Sequence, residues 1–315
     1  MHILLKQLFG LVGIGLLSAA VLGQGTDAVV SADHTEGGLK IFGSMSLDYT
    51  TAHYFFGTPL ENQGKIFQPS LTLGATLPDS IFGLSWIAAD VYAGTFNSLH
   101  FDNPSNDLAL DQNQAWWFEG DYYVGTALRF PLGFTLDIAY WNVNGLANDL
   151  KIVEEFDIIL AYDDGPVWNH AGFASVALTP YIGLVVEIDG GNDGLGDQGS
   201  PGKLFLVGLE PHMVVYDGAG YSLTLSVPIE VGIDISSYHE TVAGVDDAFS
   251  YFQLGAVLSA SLAFIPETYG AWTASFGGYL IVLGDATQEI GRNDFNVISD
   301  GNMKVWLKAG VSLSF

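Results

Sequence analysis

Residues 221–235 read YSLTLSVPIEVGIDI, and apolar and polar side chains alternate along the whole stretch. Tyr221, Leu223, Leu225, Val227, Ile229, Val231, Ile233 and Ile235 take one face; Ser222, Thr224, Ser226, Pro228, Glu230, Gly232 and Asp234 take the other. A period of two marks a β-strand, whose successive side chains point to opposite sides of a sheet. The run is long beside the ~5–6 residues usual in soluble proteins. The pattern recurs in GFTLDIAYW (133–141), ALTPYIGLVVEI (177–188), FQLGAVLSASLAF (252–264) and KVWLKAGVSLSF (304–315). Twelve such runs are expected, at 39–49, 66–77, 83–95, 117–130, 133–142, 153–162, 177–188, 203–216, 221–235, 249–264, 270–284 and 303–315.

The links between runs alternate in length. Those at 50–65, 96–116, 143–152, 189–202, 236–248 and 285–302 are long and read as mostly polar and acidic. Those at 78–82, 131–132, 217–220 and 265–269 are short and hold Pro or Gly, with 163–176 a long exception. An up-and-down barrel gives this alternation when loops lie on one side and tight turns on the other. The short-turn ends carry Phe82, Phe130, Phe134, Tyr162, Phe173, Tyr216, Tyr221, Phe264, Tyr269, Trp272 and Phe315. At one height these would form an aromatic girdle at a membrane interface. The competing arrangement, a soluble β-sandwich, would show shorter strands and no reason for the loops to alternate.

Composition narrows the class further. Of 315 residues, 49% are hydrophobic, 39 are glycine and none is cysteine; nine Lys and Arg face 35 Asp and Glu, for a net charge of -26. The apolar content excludes a disordered acidic chain. The charge argues against nucleic acid as a partner, since phosphate binding needs Lys and Arg. Without cysteine there is neither a disulfide nor a thiolate metal site. The opening MHILLKQLFGLVGIGLLSAAVLGQG reads as a signal peptide over 1–23. Its apolar stretch is shorter than the ~20 residues of a membrane-spanning helix. Residues 24–38 are then an N-terminal periplasmic segment and 39–315 the barrel.

The leader, the alternating strands, the loop pattern and the terminal aromatic together resemble the bacterial outer-membrane β-barrel class, porin-like in outline. The resemblance implies an all-β fold: a transmembrane antiparallel up-and-down β-barrel of about twelve strands in the cell outer membrane. It implies contact with outer-membrane lipid and lipopolysaccharide, and delivery by periplasmic chaperones to the barrel-assembly machinery. In that class the last strand is the assembly signal, which falls here on Trp306, Val311, Leu313 and Phe315. That strand is expected to close the sheet against 39–49.

If the apolar positions face lipid, the opposite face lines a lumen. That face carries Asp48, Asp90, Glu119, Asp121, Asp137, Glu155, Asp157, Glu187, Glu210, Glu230 and Asp234. Its bases are Arg129, His212, Lys304 and Lys308, and its aromatics Trp86, Tyr92, Trp141, Tyr181, Tyr251 and Trp306. Carboxylate linings favour cations. The expected function is a channel for diffusion of small neutral or cationic solutes, with no cofactor and no enzymatic activity. The alternatives are a plugged structural or adhesive barrel with acidic external loops, and an outer-membrane hydrolase pairing His212 with Ser222 or Ser226. The loop DGGNDGLGDQGS (189–200) offers Asp189, Asp193 and Asp197 as a weak calcium set, without the regular spacing of a calcium loop. Pro69, Pro180, Pro211 and Pro228 fall inside expected strands and call for a bulge or a broken ladder.

Overall fold

A computed structural model describes residues 39–61, 65–78, 86–101, 117–145, 150–173, 175–190, 201–241, 244, 246–294 and 301–315. The leader 1–23, the segment 24–38 and Phe82 lie outside the described residues. Along the chain come β1 (Lys40–Thr50), a small hairpin of β2 (His53–Phe55) and β3 (Thr58–Glu61), then β4 (Ile66–Leu77), β5 (Ala88–His100), β6 (Trp117–Arg129), β7 (Phe134–Gly145) and β8 (Leu150–Tyr162). The rest are β9 (Val176–Ala177), β10 (Tyr181–Gly190), β11 (Lys203–Leu209), β12 (His212–Asp217), β13 (Ser222–Ser226), β14 (Ile229–Ser236), β15 (Phe249–Ser261), β16 (Ala271–Leu283) and β17 (Met303–Ser314). Apart from the hairpin, these make twelve antiparallel wall strands, because β9/β10, β11/β12 and β13/β14 are each one strand interrupted at a proline. The wall closes where β1 meets β17, from Ser44↔Ser314 to Thr50↔Lys308. Gly43 and Phe315 complete that seam by exchanging both backbone bonds, at 2.9 and 3.0 Å.

The prolines interrupt the ladder without shifting it. Leu209↔Ile229 on one side of the break and His212↔Ser226 on the other hold one register. The Pro180, Pro211 and Pro228 carbonyls still accept from Tyr162 (3.0 Å), Val227 (2.8 Å) and Gly255 (2.8 Å). The reciprocal bond is absent in each case because proline has no N–H. At Pro69 the strand stays whole against β1, while the β4–β5 ladder skips from Phe67↔Leu99 to Ser70↔Phe96. Several strand ends differ from expectation, most of all the expected 83–95: β5 runs Ala88–His100, reaching His100 because its ladder with β4 continues as far as Ile66↔His100. Trp86 therefore precedes the wall and is exposed beside Phe130, with ring centroids 6.3 Å apart; it does not line the lumen.

The outer face is apolar and the inner face polar, the reverse of a soluble protein. On β17, Val305 and Leu307 are exposed and Trp306 between them is buried. On β1, Ile41 and Met45 are exposed while Phe42 and Ser44 are buried. At the short-turn end Phe134 and Tyr162 lie 4.9 Å apart, Tyr216 stacks on Tyr221 at 5.0 Å, and Phe173, Phe264, Tyr269 and Phe315 are exposed. Inside the wall, glycines sit against aromatic rings of the neighbouring strand. A Cβ at Gly94, Gly125 or Gly208 would overlap the rings of Tyr123, Tyr92 and Tyr181 respectively. Ring and glycine together fill the width of two inward positions, which accounts for glycine recurring on the inner face.

Candidate functional site: a filled acidic lumen

The long-loop half of the lumen is occupied by the chain itself. The link 50–65, expected to be polar and acidic, carries the β2–β3 hairpin, which folds inward with Tyr54, Phe55, Phe56 and Leu60 buried. Tyr54 lies 4.9 Å from Trp306, which in turn stacks on Tyr279 at 5.0 Å. Phe56 meets Tyr238 edge-on at 6.0 Å. The turn is left-handed at Phe56 and Gly57, with φ of 44° and 90°; the second suits glycine, and it lets the backbone press against Tyr251. His53 Nδ1 stands 3.3 Å from Glu119 Oε2. Beside it Ser98 Oγ is 3.0 Å from His100 Nε2, and His100 stacks on Phe118 at 4.5 Å. The aromatic run YFF before a glycine, inside an otherwise polar link, is the sequence signal for this hairpin.

Two more long loops turn inward. Asp234 accepts the backbone N–H groups of Ser236 (3.0 Å), Tyr238 (3.1 Å) and His239 (2.6 Å), which folds 236–241 over the lumen. Tyr238 then donates to Glu155 Oε2 at 3.0 Å. The short helix Asp285–Glu289 and the turn Ile290–Asp294 pack on β3, with Ala286, Thr287 and Ile290 buried.

Burial pushes the His239 imidazole down to about 3, so it is neutral when docked. The facing carboxylate is Asp234, 3.9 Å from its Nδ1. Docking of this loop is fully supported above the ordinary histidine value. As pH falls below ~6.5 the free loop takes up a proton that the docked loop refuses, and docking weakens by about 1.4 kcal/mol per unit. The protection factor across 236–241, the observed amide exchange divided by the intrinsic rate at each pH, should therefore fall on acidification, and His239→Phe should remove that dependence. Protection that stays flat with pH in the native protein would contradict it.

The short-turn half is different. Thr224, Ser259, Thr273, Ser275, Ser312 and Ser314 line one side of it and are half-buried, whereas Ser44, Thr72, Thr76 and Asp90 on the β1–β4–β5 side are buried.

The inward carboxylates form a column on the wall. Glu119, Asp121, Glu155, Asp157, Glu187, Glu210, Glu230 and Asp234 are buried, and Asp137 is half-buried. Glu230 accepts from the Tyr181 and Tyr251 hydroxyls at 2.7 and 2.6 Å, and Asp137 from Tyr92 at 2.6 Å. Glu187 accepts the Gly202 N–H at 2.6 Å, and Asp121 that of Asn144 at 3.1 Å. Arg129 forks onto Asp90, its Nη2 3.0 Å from Oδ1. Lys308 lies 2.9 Å from Asp48, and Lys304 is half-buried further along β17. Trp141 is buried against Tyr123 at 4.2 Å.

The remaining candidates sit apart from this column. Val311, Leu313 and Phe315 face outward whereas Trp306 faces the lumen, so the four do not share a face. Asp189 is exposed at the end of β10, and Asp193 and Asp197 lie outside the described residues. His212 faces Ser226 across the ladder, yet its Nδ1 is 3.2 Å from the Glu210 carbonyl. Among the described residues no set of His, Asp and Glu converges closely enough to hold a metal ion.

The Lys308–Asp48 pair is largely buried, with side chains 16% and 8% exposed. Removing one partner of such a pair costs ~3–5 kcal/mol, whereas replacing both with apolar groups is often neutral. Asp48→Asn should lower the urea midpoint of the micelle-held barrel well beyond what the Asp48→Leu, Lys308→Met double variant does. Equal midpoints would contradict this.

A closed antiparallel wall with an apolar exterior, a polar interior and aromatics at the short-turn end is the architecture of a membrane-spanning β-barrel. No protein-family model matches the chain, and no curated protein matches it. Among solved structures it is similar to an outer membrane channel from Pseudomonas putida F1, at 13% identity and TM-score 0.47 over 87% of this chain and 95% of that one. It is similar to LpxR from Salmonella typhimurium at 7% identity and TM-score 0.45, over 86% and 99%. It is also similar to the beta domain of the Bordetella autotransporter BrkA at 11% identity and TM-score 0.41, over 88% and 99%. At these values the likenesses carry no functional argument.

Proposed function

We propose that the barrel conducts small cationic and neutral solutes across the outer membrane, and that the conformation described is its closed state. One observation supports this above others: the lumen wall is a column of carboxylates, and the bases Arg129 and Lys308 are each engaged by one acid. A low-dielectric wall of one sign concentrates counter-ions and repels co-ions. The hydroxyl-lined short-turn half opens toward the periplasm, and the outer half is occluded by a non-covalently held hairpin. Delivery by periplasmic chaperones, and assembly machinery reading Val311, Leu313 and Phe315, belong to the same proposal.

Reconstitution in a planar bilayer under a KCl gradient tests it. A reversal potential of the sign for K⁺ preference is expected; anion preference would overturn the acidic-lumen reading. The inserted hairpin favours a second reading, a permanently plugged structural barrel. Silence in both the native chain and a hairpin-deleted variant would decide for that reading.

A further inference from the structure

We infer that the lumen holds a binding site for a small organic cation bearing a primary ammonium group, centred on Asp157. The inference deepens the cation-conducting reading and rests on it. Asp157 lies on β8 with 2% exposure, and neither of its carboxylate oxygens has a hydrogen-bond partner among the described residues. Asp137 on the adjacent β7 and Glu230 on β14, three strands away, act on it electrostatically. The donors that could have served it are committed elsewhere. The Tyr92 hydroxyl goes to Asp137, and the Tyr181 and Tyr251 hydroxyls both go to Glu230. Arg129 is held by Asp90, and Lys308 by Asp48. Glu155 Oε1 and Glu210 Oε2 are further buried acceptors without a partner.

What remains is a buried carboxylate whose two oxygens accept from no described group, with the Tyr92, Tyr181 and Tyr251 hydroxyls donating to other acids. An ionised carboxylate so placed costs several kcal/mol unless a cation reaches it. The ligand must therefore be a donor with no acceptor of its own. An ammonium group fits: it carries three N–H donors and nothing that accepts. A bare metal ion does not fit, because no described cluster converges tightly enough to ligate one. Asp157 faces Ala139 across the β7–β8 ladder, and Asp137, two residues along β7 on the same face, holds the Tyr92 hydroxyl; ring faces attract an organic cation. Entry is from the short-turn side, where the hydroxyl lining of one side is half-buried.

The test is n-butylammonium chloride titrated into the full chain in detergent micelles near neutral pH, followed by calorimetry. Saturable binding is expected. Tetramethylammonium, with the same charge and no N–H, should bind about tenfold more weakly, a difference of ~1.4 kcal/mol. Asp157→Asn should lose affinity by a similar factor while Asp157→Glu retains most of it, with heat-modifiable gel migration verifying that each variant is folded. Three results would each overturn the site: no saturable n-butylammonium binding, equal binding of tetramethylammonium, or native affinity in folded Asp157→Asn. The comparison of the two ammonium ions needs no variant, so it decides even if Asp157→Asn does not fold. Binding in micelles needs no flux, so a silent barrel that binds the amine refutes conduction alone, and a conducting barrel that does not bind it refutes this site alone.

Discussion

Replacing residues 53–61 with a short Gly-Ser turn should turn a closed barrel into a conducting one. The wall should survive the change, because β2 and β3 pair only with each other and add no rung to the barrel ladder. What leaves is the packing of Tyr54, Phe55, Phe56 and Leu60 in the outer half of the lumen. Burial of large apolar side chains contributes ~1.5–3 kcal/mol each, so the four together hold the hairpin by roughly 6–12 kcal/mol before ordering entropy is subtracted. Spontaneous opening is then rare, and single-channel traces of the native chain should be mostly closed. The deletion should raise mean conductance by at least roughly an order of magnitude, since the open fraction and not the pore wall is what changes. His53→Ala leaves the hairpin's apolar side chains in place while removing the imidazole beside Glu119, Ser98 and Phe96, and should have a much smaller effect. If the deletion folds and stays silent, the hairpin is not the gate and the permanently plugged reading stands, with the Tyr181–Glu230–Tyr251 assembly as the plug that remains.

Most of the wall could be read from the chain and most of the plug could not. Alternation reports which face a residue takes, so the strands and the inward carboxylates follow from period two, while the closing partner of β17 follows from the closure that the barrel resemblance implies. The parity even survives Pro228: Ser226, Glu230 and Asp234 are buried on one side of the strand while Leu225, Val231 and Ile235 are not. Boundaries are weaker, because a strand end is decided by its partner; β5 extends to His100 only because Ile66 is there to receive it. Trp86 illustrates the same point, since parity places it inward but β5 begins after it. The hairpin was hidden for another reason. A loop folded into a lumen has no periodicity of its own, and its aromatics find partners such as Trp306 and Tyr238 that are far away in sequence. The carboxylates were visible as charges. That Asp157 lacks a donor while Glu230 has two could be seen only once the tyrosines were in place.

Those tyrosines make Gly208→Leu the most damaging single substitution expected in the wall. Gly208 faces Tyr181 across the β10–β11 ladder, and even a Cβ would overlap its ring. The ring cannot move aside freely, because its hydroxyl is 2.7 Å from Glu230, and Glu230 is shared at 2.6 Å with Tyr251. Tyr251 in turn covers Gly57 and Gly232. Overpacking costs ~1–3 kcal/mol, and a lost hydrogen bond to a buried charged group adds ~1.5–3 kcal/mol. The sum, roughly 3–6 kcal/mol, should appear as a lower urea midpoint and a smaller folded fraction on gels. Gly220→Leu is the control, since a Cβ there meets nothing within 4 Å, and it should be near neutral. Adding Tyr181→Ala to Gly208→Leu should relieve the steric part and leave the electrostatic part, recovering some of the loss but not all of it. Equal midpoints for the Gly208 and Gly220 variants would mean that ring and glycine are not matched. Full recovery by Tyr181→Ala would mean that Glu230 does not need its second donor.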